Sequence, residues 1–163
     1  MLKKNNFFIH EKIQPKKIYY GFFTRQGGFS KKKLNSLNFK LIIGENKNNI
    51  KKNINIAKTN IGLKNHKIKF INQIHSNKVS IITKKNFRSK TTADASISFD
   101  NDIALAVLTA DCAPIFLFDN KYNMICAIHV GWKGCLNNII ENAINKISKK
   151  NIYKKNLIAI IGP

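Results

Sequence analysis

The sequence predicts an α+β fold: a mixed central sheet with helices packed on it, in a single domain. Three observations carry that expectation. Strand-length apolar runs at Ile103–Leu108, Ile115–Phe118, Met124–Ile128 and Leu157–Ile161 are separated by turn residues such as Asp119-Asn120-Lys121, which is how a sheet is punctuated. Two other stretches space their apolar residues along one face of a helix. A chain of 163 residues with 44% apolar composition is long enough to bury a core and too apolar to stay unfolded.

Taken in order, Met1 to Lys17 is polar and irregular and is expected to form an edge segment. Ile18–Thr24 follows as a strand that delivers Arg25 into the Gly27-Gly28 turn. Two adjacent glycines permit positive φ and let backbone N–H groups converge on an anion, although an ordinary strand-to-loop turn explains the same residues. Asn48–Asn60 carries Ile50, Ile54 and Ala57 at helical spacing, continued by Ile61, and Gly62 ends that helix. Ile68–Ile74 reads as a strand running to His75, with Val79–Thr83 as its expected partner.

Ile103–Leu108 is continuous enough to be a buried strand, after which Thr109-Ala110-Asp111-Cys112 turns polar. Cys112 thus follows one strand and His129 ends another. Strand ends are held rigidly yet can face a cleft, so both residues are soft metal-ligand candidates. His75, also at a strand end, reads first as a hydrogen-bonded structural residue and second as a ligand. Leu136, Ile139, Ile140, Ala143, Ile144 and Ile147 define the apolar face of a helix over Leu136–Lys149. Gly131-Trp132-Lys133-Gly134 turns the chain into it, with Trp132 expected to pack over the turn.

The formal charge of +21 is spread along the chain, and only Arg25 and Arg88 of the 29 basic residues are arginine. Lys, Asn and Ile make up 77 of the 163 residues, the bias that an AT-rich coding sequence imposes. A nucleic-acid reader clusters its charge and favours arginine, so no specific nucleic-acid partner is expected. The field still favours phosphate-bearing small molecules. No apolar run reaches the length of a membrane span, and no secretory leader is read at the N-terminus. Three cysteines without framework spacing fit a reducing, cytoplasmic setting. Cys126 alternates with apolar neighbours and is expected to be inert packing. Cys135 is expected to be a packed small residue with some thiolate character at a helix start. His10 and His66 are expected at the surface.

Thr109–Asp119 (TADCAPIFLFD) followed by Ala127–Gly134 (AIHVGWKG) resembles the signature of the laccase-domain family. Phe23-Thr24-Arg25-Gln26-Gly27-Gly28-Phe29-Ser30, Ser36-Leu37-Asn38, Gln73-Ile74-His75-Ser76-Asn77-Lys78-Val79 and Ala93-Asp94-Ala95 fall in the same family order, and the likeness runs from Tyr20 to the last residue. Members are often described as multicopper polyphenol oxidases and are regarded as zinc-dependent purine nucleoside phosphorylases with adenosine deaminase activity; some are described as peptidoglycan-editing hydrolases. The resemblance implies that His75, Cys112 and His129 are ligands of one Zn2+, with copper as the second choice, and that purine nucleosides and phosphate are the small-molecule partners. It implies a pocket role for Arg25 on substrate phosphate. It also implies that Asn53-Ile54 stands where the family has an Asn-Arg pair, so that a second arginine is missing. Members continue beyond the position of Pro163, and a chain cut there is expected to leave an open sheet edge.

The implied ligand set can be weighed chemically. One thiolate and two imidazoles suit zinc, and three protein ligands leave a position for water or substrate, the pattern of a catalytic site. The wide spacing excludes a zinc finger, and four histidines are too few for multicopper oxidation. Asp111, beside Cys112, is a candidate general base or a carboxylate partner for a ligand histidine. Asp94 reads first as a turn cap. Two other readings stand beside the phosphorylase: a metal-free Cys/His hydrolase acting on peptidoglycan precursors, and an inactive basic remnant.

Overall fold

The computed structural model describes residues 2–4, 7–9, 18–40, 42–119, 121 and 123–163. His10 and much of the expected N-terminal edge segment lie outside the described residues. The chain divides into two compact units, Met1–His66 and Lys67–Pro163.

In the first unit, β1 (Leu2–Lys4), β2 (Phe7–Ile9) and β3 (Phe22–Phe23) form an antiparallel sheet in that order. The strand expected over Ile18–Thr24 is therefore only two residues long, since the pairing with β2 ends there. Helix α1 (Lys47–Asn60) starts at Asn46, whose side chain accepts from the Asn48 N–H, the ordinary asparagine N-cap. Asn53, fully buried, ties this helix to the preceding loop. Its Oδ1 accepts from Phe29 N, and its Nδ2 donates to Ser30 Oγ, Ser36 O and Asn38 O.

The second unit holds a five-stranded sheet in the order β10 (Ile158–Ile161), β8 (Ala113–Asp119), β9 (Met124–Val130), β6 (Ala95–Ser98), β5 (Val79–Ile82). Only the β5–β6 pairing is parallel, so the sheet is mixed as the sequence predicts. The register lines up Val79, Ala95, Ile128 and Ile115 across four strands, and Ile81, Ile97, Cys126 and Leu117 beside them. Directly opposed residues share a face. This face packs on Ile139, Ala143 and Ile147 of α3 (Ile139–Ser148), all three fully buried. The opposite face, which carries His129, meets a two-stranded parallel ribbon of β4 (Lys67–Phe70) and β7 (Ile103–Ala106). Among the described residues no helix is long and apolar enough to cross a membrane.

Three expectations are corrected here. The partner of β4 is β7 and not Val79–Thr83, which pairs instead with β6. The helix expected over Leu136–Lys149 is two helices, α2 (Trp132–Leu136) and α3, because Asn138 takes the left-handed conformation at φ 58°. Asparagine tolerates that region, and the break points Leu136 away from the core, 73% exposed. Trp132 does not cover its turn: it is 69% exposed, with the Lys133 ammonium 5.3 Å from its ring centre.

Candidate metal centre

His75, Cys112 and His129 come together in the second unit, one ligand atom from each lying within 4.8 Å of the others. The fold explains how residues so far apart in sequence meet. Cys112 sits two positions before Pro114, whose register partner across the β8–β9 hairpin is His129. The third member arrives from the segment between β4 and β5. There Gln73 grips the main chain at Leu108, its Nε2 donating to Leu108 O at 2.7 Å and its Oε1 accepting from Leu108 N at 2.8 Å. That double hydrogen bond aligns the approach to His75 with the approach to Cys112.

His75 adopts φ 55°, a conformation that costs a non-glycine residue on the order of 1 kcal/mol. Asp94 holds it there. The Asp94 side chain is fully buried just before β6. Its Oδ1 accepts from His75 N at 3.0 Å, and its Oδ2 accepts from Ser76 N and Ser76 Oγ, both at 2.7 Å, and from Ile74 N at 3.3 Å. Oδ1 also lies 2.9 Å from Nδ1 of His129, which is itself buried. Burial on its own pushes the Asp94 carboxyl up, but the hydrogen bonds from His129, Ser76 and the backbone outweigh it and hold the pKa below the ordinary 3.8. The carboxylate is therefore ionised at neutral pH.

Gly131 closes the remaining side. A Cβ placed on it would stand 2.6 Å from His75 Nδ1 and 3.3 Å from Cys112 Sγ. Its backbone, at φ −82° and ψ 165°, is one that any residue adopts. Glycine is thus required here by the space between the ligand atoms and not by the turn. The residues fit a metal ion on three counts. They supply a sulfur and two imidazoles, the Asp94 hydrogen bond leaves Nε2 of His129 free to ligate, and Gly131 leaves a gap beside two of the donors. Donors around a tetrahedral zinc are about 3.5 Å apart, so binding asks for a contraction of roughly 1 Å.

The other named residues fall elsewhere. Asp111 is exposed beside Cys112, and the carboxylate that hydrogen-bonds a candidate ligand histidine is Asp94. Asp94 does cap the 74–76 turn as expected; its second bond, to His129, was not foreseen. A signal was present, since an aspartate opening a small-residue strand, Ala93-Asp94-Ala95, is unlike an ordinary loop acid. Arg25 lies in the first unit, where Nε donates to Asn35 O at 2.8 Å and Nη2 to Lys33 O at 3.3 Å. Gly28 serves close packing: its Cβ would lie 2.2 Å from Ser36 O, and its N–H is already taken by Ser36 Oγ. Burial pushes the Cys126 thiol far up, in keeping with inert packing. Cys135 is exposed and not packed, because α2 turns it to solvent. His66 is only partly exposed, its Nδ1 enclosed without a hydrogen-bond partner.

The chain is 37% identical over 150 residues to a purine nucleoside phosphorylase of Rickettsia conorii, covering 90% of this chain and 57% of the relative. A crystal structure of a Neisseria meningitidis protein superposes with a TM-score of 0.71 at 30% identity, over 86% of this chain and 55% of the other. YlmD of Geobacillus stearothermophilus shares the fold at a TM-score of 0.86 and 20% identity, over 100% of this chain and 64% of that one. The chain thus spans little more than half the length of the Rickettsia and Neisseria proteins. Residues 19–163 match one protein family as a continuous block that includes the clustered His75, Cys112 and His129. On that match, the chain belongs to the family described as multi-copper polyphenol oxidoreductase laccase.

Proposed function

We propose that this chain is a zinc-dependent purine nucleoside phosphorylase with adenosine deaminase activity, built on His75, Cys112 and His129. The observation that carries the reading is the meeting of these three side chains from three separate segments. The similarity to a protein named purine nucleoside phosphorylase supports the substrate class. Zinc is the proposed ion, because one thiolate and two imidazoles are ordinary zinc ligands and three protein donors leave a position for water or substrate, the pattern of a catalytic zinc site. A zinc ion held there supplies electrophilic polarisation and an acidified water.

The chain's own groups account for the rest. The Asp94 carboxylate keeps the His129 ring in one orientation. Asp111, exposed and next to Cys112 in the chain, is the proposed proton acceptor. The chain's net positive charge is the proposed attraction for phosphate, and Arg25 is the proposed phosphate-binding side chain. In phosphorolysis a phosphate oxygen bonds to the ribosyl C1′ carbon as the bond from C1′ to the purine nitrogen breaks, and the purine leaves with a proton. In deamination water replaces the amine at C6 of adenosine and ammonia leaves.

A second reading is favoured by one observation, the Asp94–His129 hydrogen bond beside Cys112. The trio then acts without metal as orienting carboxylate, base and nucleophile of a hydrolase. One experiment separates the two. Purified protein is analysed for metal and assayed for hypoxanthine release from inosine with phosphate. The zinc reading expects about one zinc per chain, loss of turnover on chelation, and loss of both metal and turnover in Cys112→Ala. Turnover that survives complete removal of metal refutes it.

A further inference from the structure

The carboxylate of Asp94 touches more of this site than any ligand does. Two oxygens receive five contacts: His75 N and His129 Nδ1 on Oδ1, and Ile74 N, Ser76 N and Ser76 Oγ on Oδ2. The Asp94 backbone contributes as well, since its carbonyl accepts from His129 N at 2.8 Å. One residue therefore holds His129 by both main chain and side chain, and holds His75 through the backbone of its turn. An ionised carboxylate only accepts hydrogen bonds. Three of its five partners are backbone N–H groups and the fourth is a hydroxyl; toward such an ionised carboxylate His129 donates through Nδ1, and in the neutral ring that leaves the lone pair on Nε2.

We infer that Asp94 is the positioning residue of the cluster, a single carboxylate that fixes the tautomer of His129 and the left-handed turn of His75 together. This rests on the metal-site reading above and adds a residue to it. Asparagine at this position has the right shape and the wrong polarity. Its amide NH2 has to face either the His75 N–H and His129 Nδ1, or the three donors at Ile74 and Ser76. In the first orientation His129 must accept through Nδ1, its proton moves to Nε2, and the lone pair that would meet the metal is lost. In the second the turn that presents His75 is pushed apart. Either way one imidazole ligand is weakened from a distance.

The test uses the full chain and zinc alone as the probe. Zinc affinity is measured by chelator competition for wild type, Asp94→Asn and Asp102→Asn, the last a carboxylate whose ion pair is with Lys84. Asp94→Asn is expected to bind 10- to 100-fold more weakly and Asp102→Asn to stay within twofold. Histidine 15N spectra of the wild type, with and without zinc, are expected to show His129 protonated on Nδ1 in both. These spectra decide the matter even if Asp94→Asn does not fold or if the wild type takes no zinc, in which case the functional reading falls separately. Protonation of His129 on Nε2 in the metal-free wild type, or unweakened zinc binding by a folded Asp94→Asn, overturns the inference.

Discussion

Replacing Gly131 with alanine separates the needs of the fold from those of the site. The backbone at Gly131 is extended, with φ −82° and ψ 165°, so alanine meets no conformational penalty. By stiffening the unfolded chain it should even add a few tenths of a kcal/mol to stability, up to about 1 kcal/mol. The new methyl would nevertheless lie 2.6 Å from His75 Nδ1, 3.4 Å from His75 Cε1 and 3.3 Å from Cys112 Sγ. Carbon and nitrogen settle at about 3.5 Å, so the imidazole has to retreat by close to 1 Å. His75 is exposed, so its ring can swing towards solvent without disturbing the core. The methyl also occupies volume that an ion bonded at about 2.0–2.3 Å to both donors would need. Loss of one of three protein ligands should weaken zinc binding at least 100-fold, about 2.8 kcal/mol at 1.4 kcal/mol per decade. The expected signature is a metal-free melting temperature within a few degrees of wild type together with a collapse of zinc affinity in chelator competition. Zinc binding within threefold of wild type would refute the claim that glycine is present to clear the site.

Further outcomes follow from other parts of the chain. In the folded protein Cys135 should react readily with an alkylating reagent while Cys126, enclosed and with its thiol pushed up by burial, stays unmodified until denaturant is added; mass spectrometry reads both. Glu45 accepts from Asn38 Nδ2, which is the main cause of its pKa falling below the ordinary 4.5, with Ser30, Asn46 and Asn49 adding to it. Its contribution to stability is therefore complete above 4.5 and disappears as pH falls through the lower folded value. The melting temperatures of wild type and Glu45→Gln should differ at neutral pH and converge in acid. If the lysines form no reading surface, affinity for duplex DNA should be sequence-independent and largely lost at physiological salt, which a fluorescence anisotropy titration at two salt concentrations checks.

Much of the sheet could be read from the sequence, because β8, β9 and β10 are apolar runs bounded by turns, and β8 and β9 pair as a hairpin across a short one. The parallel β4–β7 ribbon was not legible. Its strands lie more than thirty residues apart, and nothing in Lys67–Phe70 points to Ile103–Ala106 over Val79–Ile82. The helix break at Asn138 was hidden because apolar periodicity continues across it, and only the Asn137-Asn138 pair hinted at a left-handed residue. For the site, residue type and family likeness singled out His75, Cys112 and His129. Asp94 was legible as a turn cap and Gly131 as a turn residue, but what each does at the site was not, because those roles are relational. One is a carboxylate whose partners lie 18 to 35 positions away, and the other is a missing side chain whose value lies in the atoms it would strike.

The β8–β9 hairpin has a consequence for the order in which the site comes into being. It pairs seven residues on each strand and brings Cys112 and His129 to the same end, so two of the three candidate ligands are brought together by a local contact. Hairpins of this kind close in about 1–10 μs. The His75 turn is held by Asp94, which depends on β6 joining β9 and on the parallel β5–β6 pair, and by the Gln73–Leu108 pair, all contacts of much longer loop closure. A chain on its way to the native state therefore carries a two-donor site for most of its folding and acquires the third donor late. An ion that needs all three would leave the folding rate almost unchanged and slow unfolding instead, making the metal a brake on the way out and no guide on the way in.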